Sequence, residues 1–183
     1  MPDFSGFQLG MSSRFRTSHP DRNPKDIVLT PTEWARDIVA HFAPTGLCLD
    51  PCRGASAFYD VLPEPKTWCE ITEGVDFFDF SDRVDWIISN PPYSLFDRWL
   101  DHSLEIAENI VYLVPVNKFL SSLQKLDKVY RYGGIAHIRY YGTGRDAGFP
   151  FGFPVGAVHL RRHYTGPMGI SWYASISPIQ QKD

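Results

Sequence analysis

Apolar residues change their spacing along this chain, and each change predicts an element. Over residues 32–42, Trp34, Ile38 and Phe42, with Val39, recur every three to four positions, so they share one face of a helix. Thr32 stands where an N-cap is expected, and Pro44 and Gly46 close the element. Short continuous apolar runs follow: 46–50 ends in Asp50, 67–70 ends in Glu70, and 84–89 leads into Asn90. Later runs cover 109–114, 135–141 and 155–163. Runs of this length without alternation predict buried strands. Helical patterns lie between them: a short one over 57–62 stopped by Pro63, one carried by Leu95, Trp99, Leu104 and Ile106, and one over 121–132.

Strands alternating with helices predict an α/β fold with a mostly parallel sheet. Such sheets bind ligands beyond the carboxyl ends of their strands. Asp50, Glu70, Asp76 and Asn90 all fall at or just past predicted strand ends, so they are expected along one edge. Residues 1–29, rich in Ser, Arg, Pro, Asp and Asn, read as an irregular arm before a single domain over 30–183. Residues 142–154 carry four Gly and two Pro, enough for a functional loop rather than a tight turn.

Composition narrows the class. The chain has 183 residues, 43% hydrophobic and 21% charged, which suits one domain with a real core. No apolar run has the length of a membrane helix, and the first residues lack a signal-peptide core. Three cysteines, Cys48, Cys52 and Cys69, do not make a disulfide framework or a paired metal-ligand pattern. A cytoplasmic protein with no metal site and no membrane partner is expected. The net charge of −3 argues against a polyanionic partner until it is divided by position. Residues 50–109 hold four basic against thirteen acidic residues, −9, whereas 110–169 hold eight against two, +6. Such a split is a signal of divided labour.

The sharpest chemistry is Asn90-Pro91-Pro92-Tyr93, directly after an apolar run. Two consecutive prolines remove two backbone donors and fix two φ angles, which leaves a rigid loop with carbonyls available to a ligand. Asn offers one acceptor oxygen and two donors, and Tyr offers a ring for stacking. The set suits a planar group bearing an amino nitrogen. The Asn90 oxygen and the Pro91 carbonyl both accept from that NH₂, drawing its lone pair out of conjugation without a strong base.

These residues resemble the amino-group S-adenosylmethionine-dependent methyltransferases, whose hallmark is Asn-Pro-Pro-Tyr. Over about residues 28–120 the chain is most similar to N6-adenine DNA methyltransferases and their small phage-like relatives. The resemblance implies a Rossmann-like class I methyltransferase fold, a seven-stranded, mostly parallel sheet with helices on both faces, and S-adenosyl-L-methionine as cofactor. Residues 49–58 are similar to the family's Asp-Pro-x-x-Gly-x-Gly-x-Phe motif, with Ser56 in place of its second glycine. The resemblance assigns cofactor contacts to Asp50, Pro51, Gly54 and Asn90, and the methionine carboxylate to Thr30. It gives the ribose hydroxyls to Glu70 and the cofactor adenine to Asp76 and Phe77, with Asp79 a rival for Asp76. Catalysis falls to Asn90, Pro91, Pro92 and Tyr93.

On the substrate side Tyr93 stacks the target base. Phe96 either flanks that base or belongs to the core, and Lys118 either meets phosphate or is a solvated loop residue. Arg139, Arg145, Arg161 and Arg162, interleaved with Tyr140, Tyr141, Phe149, Phe151 and Phe153, are candidates for phosphate and base contacts. Residues after the Asn-Pro-Pro-Tyr core are too few for a separate recognition domain. Target reading is expected from 142–154, the arm, a partner chain or a homodimer. DNA adenine N6 is the favoured target. RNA bases and protein glutamine pose the same chemical problem, and a non-catalytic binding module on this fold is a further alternative.

Overall fold

The computed structural model describes residues 28–147, 149 and 152–173. Its element order begins with α1 (Thr32–Phe42), β1 (Cys48–Asp50), β2 (Lys66–Trp68) and β3 (Val84–Ser89). Next come α2 (Phe96–Ile106), β4 (Ala107–Pro115), α3 (Asn117–Leu120) and α4 (Leu123–Tyr132). The chain continues through β5 (Gly133–Thr143), β6 (Pro154–Arg162) and β7 (Gly169–Trp172). The seven strands form one sheet in the order β2-β1-β3-β4-β6-β5-β7. Only β6 runs against the others, pairing antiparallel with both β4 and β5, so the sheet is mostly parallel as expected.

The central strands are apolar on both sides because both faces are covered. Ile87, Ile110, Tyr112 and Val114 pack with Phe96, Trp99 and Leu100 of α2, Phe119 of α3 and Val129 of α4. Their sequence neighbours Ile88, Val111 and Leu113 pack on the opposite face with Trp34, Ala35 and Ile38 of α1. Successive strand residues point to opposite faces, so one continuous apolar run serves two cores. No helix among the described residues is long and apolar enough to cross a membrane.

Several local expectations shift. Thr32 is the first exposed residue of α1 rather than its cap. Pro31 holds the N-cap position, and its carbonyl accepts from the backbone N–H groups of Trp34 and Ala35. Its ring presets a backbone angle compatible with helix entry. The pattern over 57–62 yields only one 3₁₀ turn, Tyr59–Val61, because Pro63 leaves no room for a longer helix. The second strand ends at Trp68, so Glu70 stands just beyond it. The sequence reading missed α3 and β7. The first is a single turn, and the second mixes Gly, Ser and two apolar residues with no clear period. The expected arm lies outside the described residues except for Val28 and Leu29.

Candidate active site

Because β1, β2, β3 and β4 run in the same direction, their carboxyl ends meet at one edge. Asp50, Glu70 and Asn90 gather there, as the patterning predicted. The turn after β1 is built around Asp50, which is 1% exposed. One of its carboxylate oxygens accepts from the Cys52 N–H at 3.3 Å and from the Ser89 hydroxyl at 2.9 Å. Burial pushes the Asp50 carboxyl up to about 7, although the Ser89, Cys52 and Tyr59 donors oppose that shift; nearby Glu70 adds to it. Asp50 thus fixes the turn and ties it to the end of β3.

Gly54 and Ser56 both have left-handed backbone angles, φ +50° and +65°. Ser56 therefore holds a conformation that suits the glycine expected there and costs a non-glycine residue roughly 1 kcal/mol. Among the described residues, a side chain added at Gly54 would meet only the Cys52 carbonyl, at 3.8 Å, so none of them fills the space above this turn. Glu70, 6% exposed, reaches back under the turn. Its Oε2 accepts from the Gly54 N–H at 2.9 Å, and Oε1 accepts from the Thr72 N–H and hydroxyl at 3.0 and 2.6 Å. Arg53 lies over the Trp68 ring at 3.8 Å and pairs with Glu73.

Asp76 accepts from the Phe78 N–H at 2.9 Å and so starts the 3₁₀ turn Phe77–Asp79. Phe77 is 3% exposed, against Trp99 at 4.6 Å and His102 at 4.7 Å. It is a core residue here, and Phe78, half-buried beneath Arg98, lies nearer the surface. Two adjacent turns, one bearing the buried Glu70 and the other the half-buried Asp76, with no described residue filling the space over Gly54, fit S-adenosylmethionine. Glu70 and Asp76 would supply acceptors, and the backbone at Gly54 would allow close approach.

The second half of the site is the loop after β3. Pro91 is buried, and Tyr93 opens the 3₁₀ turn Tyr93–Leu95. The Lys118 ammonium on α3 donates to the Tyr93 carbonyl at 3.1 Å, which brings Lys118 to the edge as a support for this loop. The Asn90 side-chain NH₂ donates to the Val28 carbonyl at 3.0 Å and to the Thr30 hydroxyl at 3.2 Å. Its oxygen is buried and has no hydrogen-bond partner among the described residues. Thr30 is therefore in contact with Asn90.

The remaining substrate candidates separate. Phe96 is 2% exposed and packs edge-on against Phe119 and Tyr112, which resolves its two readings in favour of the core. Arg139 is clamped by Asp37 of α1 at 2.6 and 2.8 Å and joins α1 to β5. Arg161 pairs with Asn109 at the start of β4, whereas Val155 pairs with Pro115 at its end. The antiparallel course of β6 thus carries Arg161 to the opposite edge, about 20 Å away at strand spacing. Arg162 is held there by the Leu104 and Ala107 carbonyls and by Glu108. Arg145, exposed in the turn after β5, remains on the site's edge. Tyr141 and Phe149 are buried against Trp34; Phe153 is exposed, and Phe151 lies outside the described residues.

Sequence reasoning missed Ser89, Thr72 and the Val28 carbonyl. Ser89 carried a readable signal, a hydroxyl directly after the apolar run Trp86-Ile87-Ile88. The other two depend on tertiary contact. Two surface hollows of about 490 and 360 Å³ lie elsewhere, one between α2, α4 and Arg162 and one beside the start of β5.

This sheet, with its ligand edge, is the fold of the class I S-adenosylmethionine-dependent methyltransferases. A protein of Listeria monocytogenes assigned to that class superposes with a TM-score of 0.60 at 12% identity, covering 79% of this chain and 64% of that one. A Pyrococcus horikoshii protein assigned as an RNA methyltransferase gives 0.53 at 14% identity, over 72% and 82%. A modification subunit assigned to a type I restriction enzyme of Vibrio vulnificus gives 0.55 at 16% identity, over 84% of this chain and 48% of that one. The chain thus spans about two thirds of the first of these and about half of the last. No family model matches the sequence, and no curated protein does.

Proposed function

We propose that this protein is an S-adenosylmethionine-dependent methyltransferase acting on an exocyclic amino nitrogen, with N6 of adenine in DNA as the favoured target. The observation that carries the reading is the buried oxygen of Asn90, an acceptor lacking a partner among the described residues. It stands beside Pro91-Pro92-Tyr93 at the edge that also bears the carboxylate-lined turns. A buried acceptor without a donor costs on the order of 1–3 kcal/mol. A substrate NH₂ would relieve that cost where it is needed, at the reacting nitrogen.

When bound, S-adenosylmethionine supplies an electrophilic methyl group on a sulfonium. Glu70 would accept from its ribose hydroxyls, Asp76 from its adenine amino group, and the turn at Gly54 would lie along its methionine portion. Asn90 Oδ1 and the Pro91 carbonyl would accept from the target NH₂ and hold its lone pair toward the methyl group. Tyr93 would stack on the target ring, which in a duplex must first be flipped out. The amino proton leaves to solvent after transfer, and no covalent enzyme intermediate is needed. Among the described residues, Lys118 and Arg145 are cations at this edge suited to phosphate. Support for DNA comes from the Asn-Pro-Pro-Tyr resemblance; the fold itself is common to the restriction-modification subunit and the RNA methyltransferase.

The test is to incubate the protein with methyl-labelled cofactor and, separately, DNA, RNA and protein extract. Label in adenine of DNA is expected, and Asn90→Ala should abolish it while cofactor binding, held mainly by the Gly54 turn, Glu70 and Asp76, survives. Label only in RNA or protein would replace the substrate, and none in any fraction would overturn the transferase reading.

A further inference from the structure

The side-chain amide of Asn90 is oriented by residues 60 and 62 positions earlier in the chain. The Val28 partner is a backbone carbonyl, which only accepts, so the amide must turn its NH₂ toward it. The second amide hydrogen goes to Thr30 Oγ1. Both donors of Asn90 are therefore spent on the segment that leads into α1, and only the oxygen is left to face a ligand. That segment is anchored in turn, because Val28 packs against the core cluster that includes Trp34 and Ile38 of α1.

We propose that the Val28 carbonyl sets the polarity of the acceptor site and that the Thr30 hydroxyl takes up the second amide hydrogen, so that Asn90 has only its oxygen to offer a ligand. This rests on the transferase reading and assigns Thr30 a positioning role in it. A free Asn amide can rotate to offer either oxygen or NH₂, and so would receive an amino group or a ring carbonyl equally well. The locked amide admits a donor, such as the amino group of adenine or cytosine or a primary amide. Facing a 6-oxopurine it would set oxygen against oxygen. Discrimination of this kind is steep, because the rejected ligand leaves buried polar groups unpaired. The lock also removes a rotational ambiguity before the substrate arrives, which is a form of preorganisation.

Two readouts on the full chain test the proposal. The first needs no activity. The Asn90 side-chain NH₂ signals, identified in the ¹⁵N spectrum by their loss in Asn90→Ala, should exchange slowly with solvent in the unaltered protein. In Thr30→Val they should exchange about tenfold faster, the change expected when one hydrogen bond is lost, and Thr30→Ser should restore slow exchange. Thr30→Ala gives the same comparison if the branched side chain disturbs folding.

The second readout is kinetic. Thr30→Val should lower kcat on an adenine-containing oligonucleotide about tenfold, with cofactor affinity unchanged by calorimetry and kcat recovered in Thr30→Ser. It should also narrow the preference for that oligonucleotide over its hypoxanthine analogue as a competitor. Unchanged exchange in Thr30→Val, or a defect confined to cofactor affinity, overturns the proposal and returns Thr30 to the cofactor. Failure of the unaltered protein to label any acceptor overturns the transferase reading, whereas the exchange measurement judges the lock itself.

Discussion

The Ser89 hydroxyl donates to the Asp50 carboxylate at 2.9 Å, with both side chains buried. This bond joins the ends of β1 and β3, and so joins the cofactor-type turn to the Asn90 loop one residue beyond. Two halves of a candidate site that lie 39 residues apart in sequence share one buried oxygen. Ser89→Ala would leave that carboxylate with fewer donors. Unfolding in urea should show a loss of about 1–2 kcal/mol, and the Asp50 carboxyl should move further up.

Asp50 also predicts a pH dependence. Its carboxyl is raised from 3.8 to about 7 in the fold. Between roughly pH 4 and 7 the folded state binds the proton and the unfolded state does not, so this group removes stability as pH rises through that window. His159 acts the other way, since burial lowers it from 6.5 to about 4, with Arg161 and the neighbouring histidines contributing. Its contribution is lost as pH falls from 6.5 toward 4. Asp50→Asn should therefore leave the rising His159 limb exposed. Relative to the unaltered protein, its unfolding free energy should climb by on the order of 1 kcal/mol per pH unit over the Asp50 window. Parallel profiles would refute the assignment.

Glu70 accepts three hydrogen bonds from Gly54 and Thr72. Glu70→Ala removes the acceptor that fixes the turn and the one proposed for ribose. S-adenosylhomocysteine affinity by calorimetry should fall at least about tenfold, and stability should fall with it. Unchanged affinity would remove Glu70 from the site.

Lys118 supports Tyr93 through its carbonyl. Lys118→Met should raise KM for the acceptor more than it lowers kcat, because the loop loses its prop while Asn90 keeps its partners. Equal effects on both constants would place Lys118 in the chemical step.

The two candidate arginines on opposite edges should behave differently toward DNA. Arg145→Gln should weaken binding and reduce the slope of log affinity against log salt by about 1. Arg161→Gln should leave both unchanged. A salt-slope change in Arg161→Gln would mean that the nucleic acid wraps to the far edge.

Much of this architecture was legible in the chain. The run at 84–89 matches β3 end to end, and the acids closing the apolar runs do meet at one sheet edge. Strand and helix periods are local properties of a few residues, and parallel strands bring their carboxyl ends together without further information. Less legible were short elements without a period, such as β7, and aromatic residues with two plausible surroundings. Phe96 and Phe77 are apolar residues beside the candidate site motifs, and only packing shows that both face the core.

By itself the sequence determined the fold class, the acids of the turns, the Asn-Pro-Pro-Tyr loop and the division of charge. These are set by composition and by spacing within a few residues. The tertiary structure decided which way the Asn90 amide faces, because its partners are 60 and 62 residues distant. It also decided which cations reach the site. A strand that runs backwards carries Arg161 away from the edge, and no local pattern encodes strand direction. Arg139 met a carboxylate 102 residues earlier and became a strut. Spacing fixes which residues can share an edge, and long-range pairing fixes which of their polar groups remain available there.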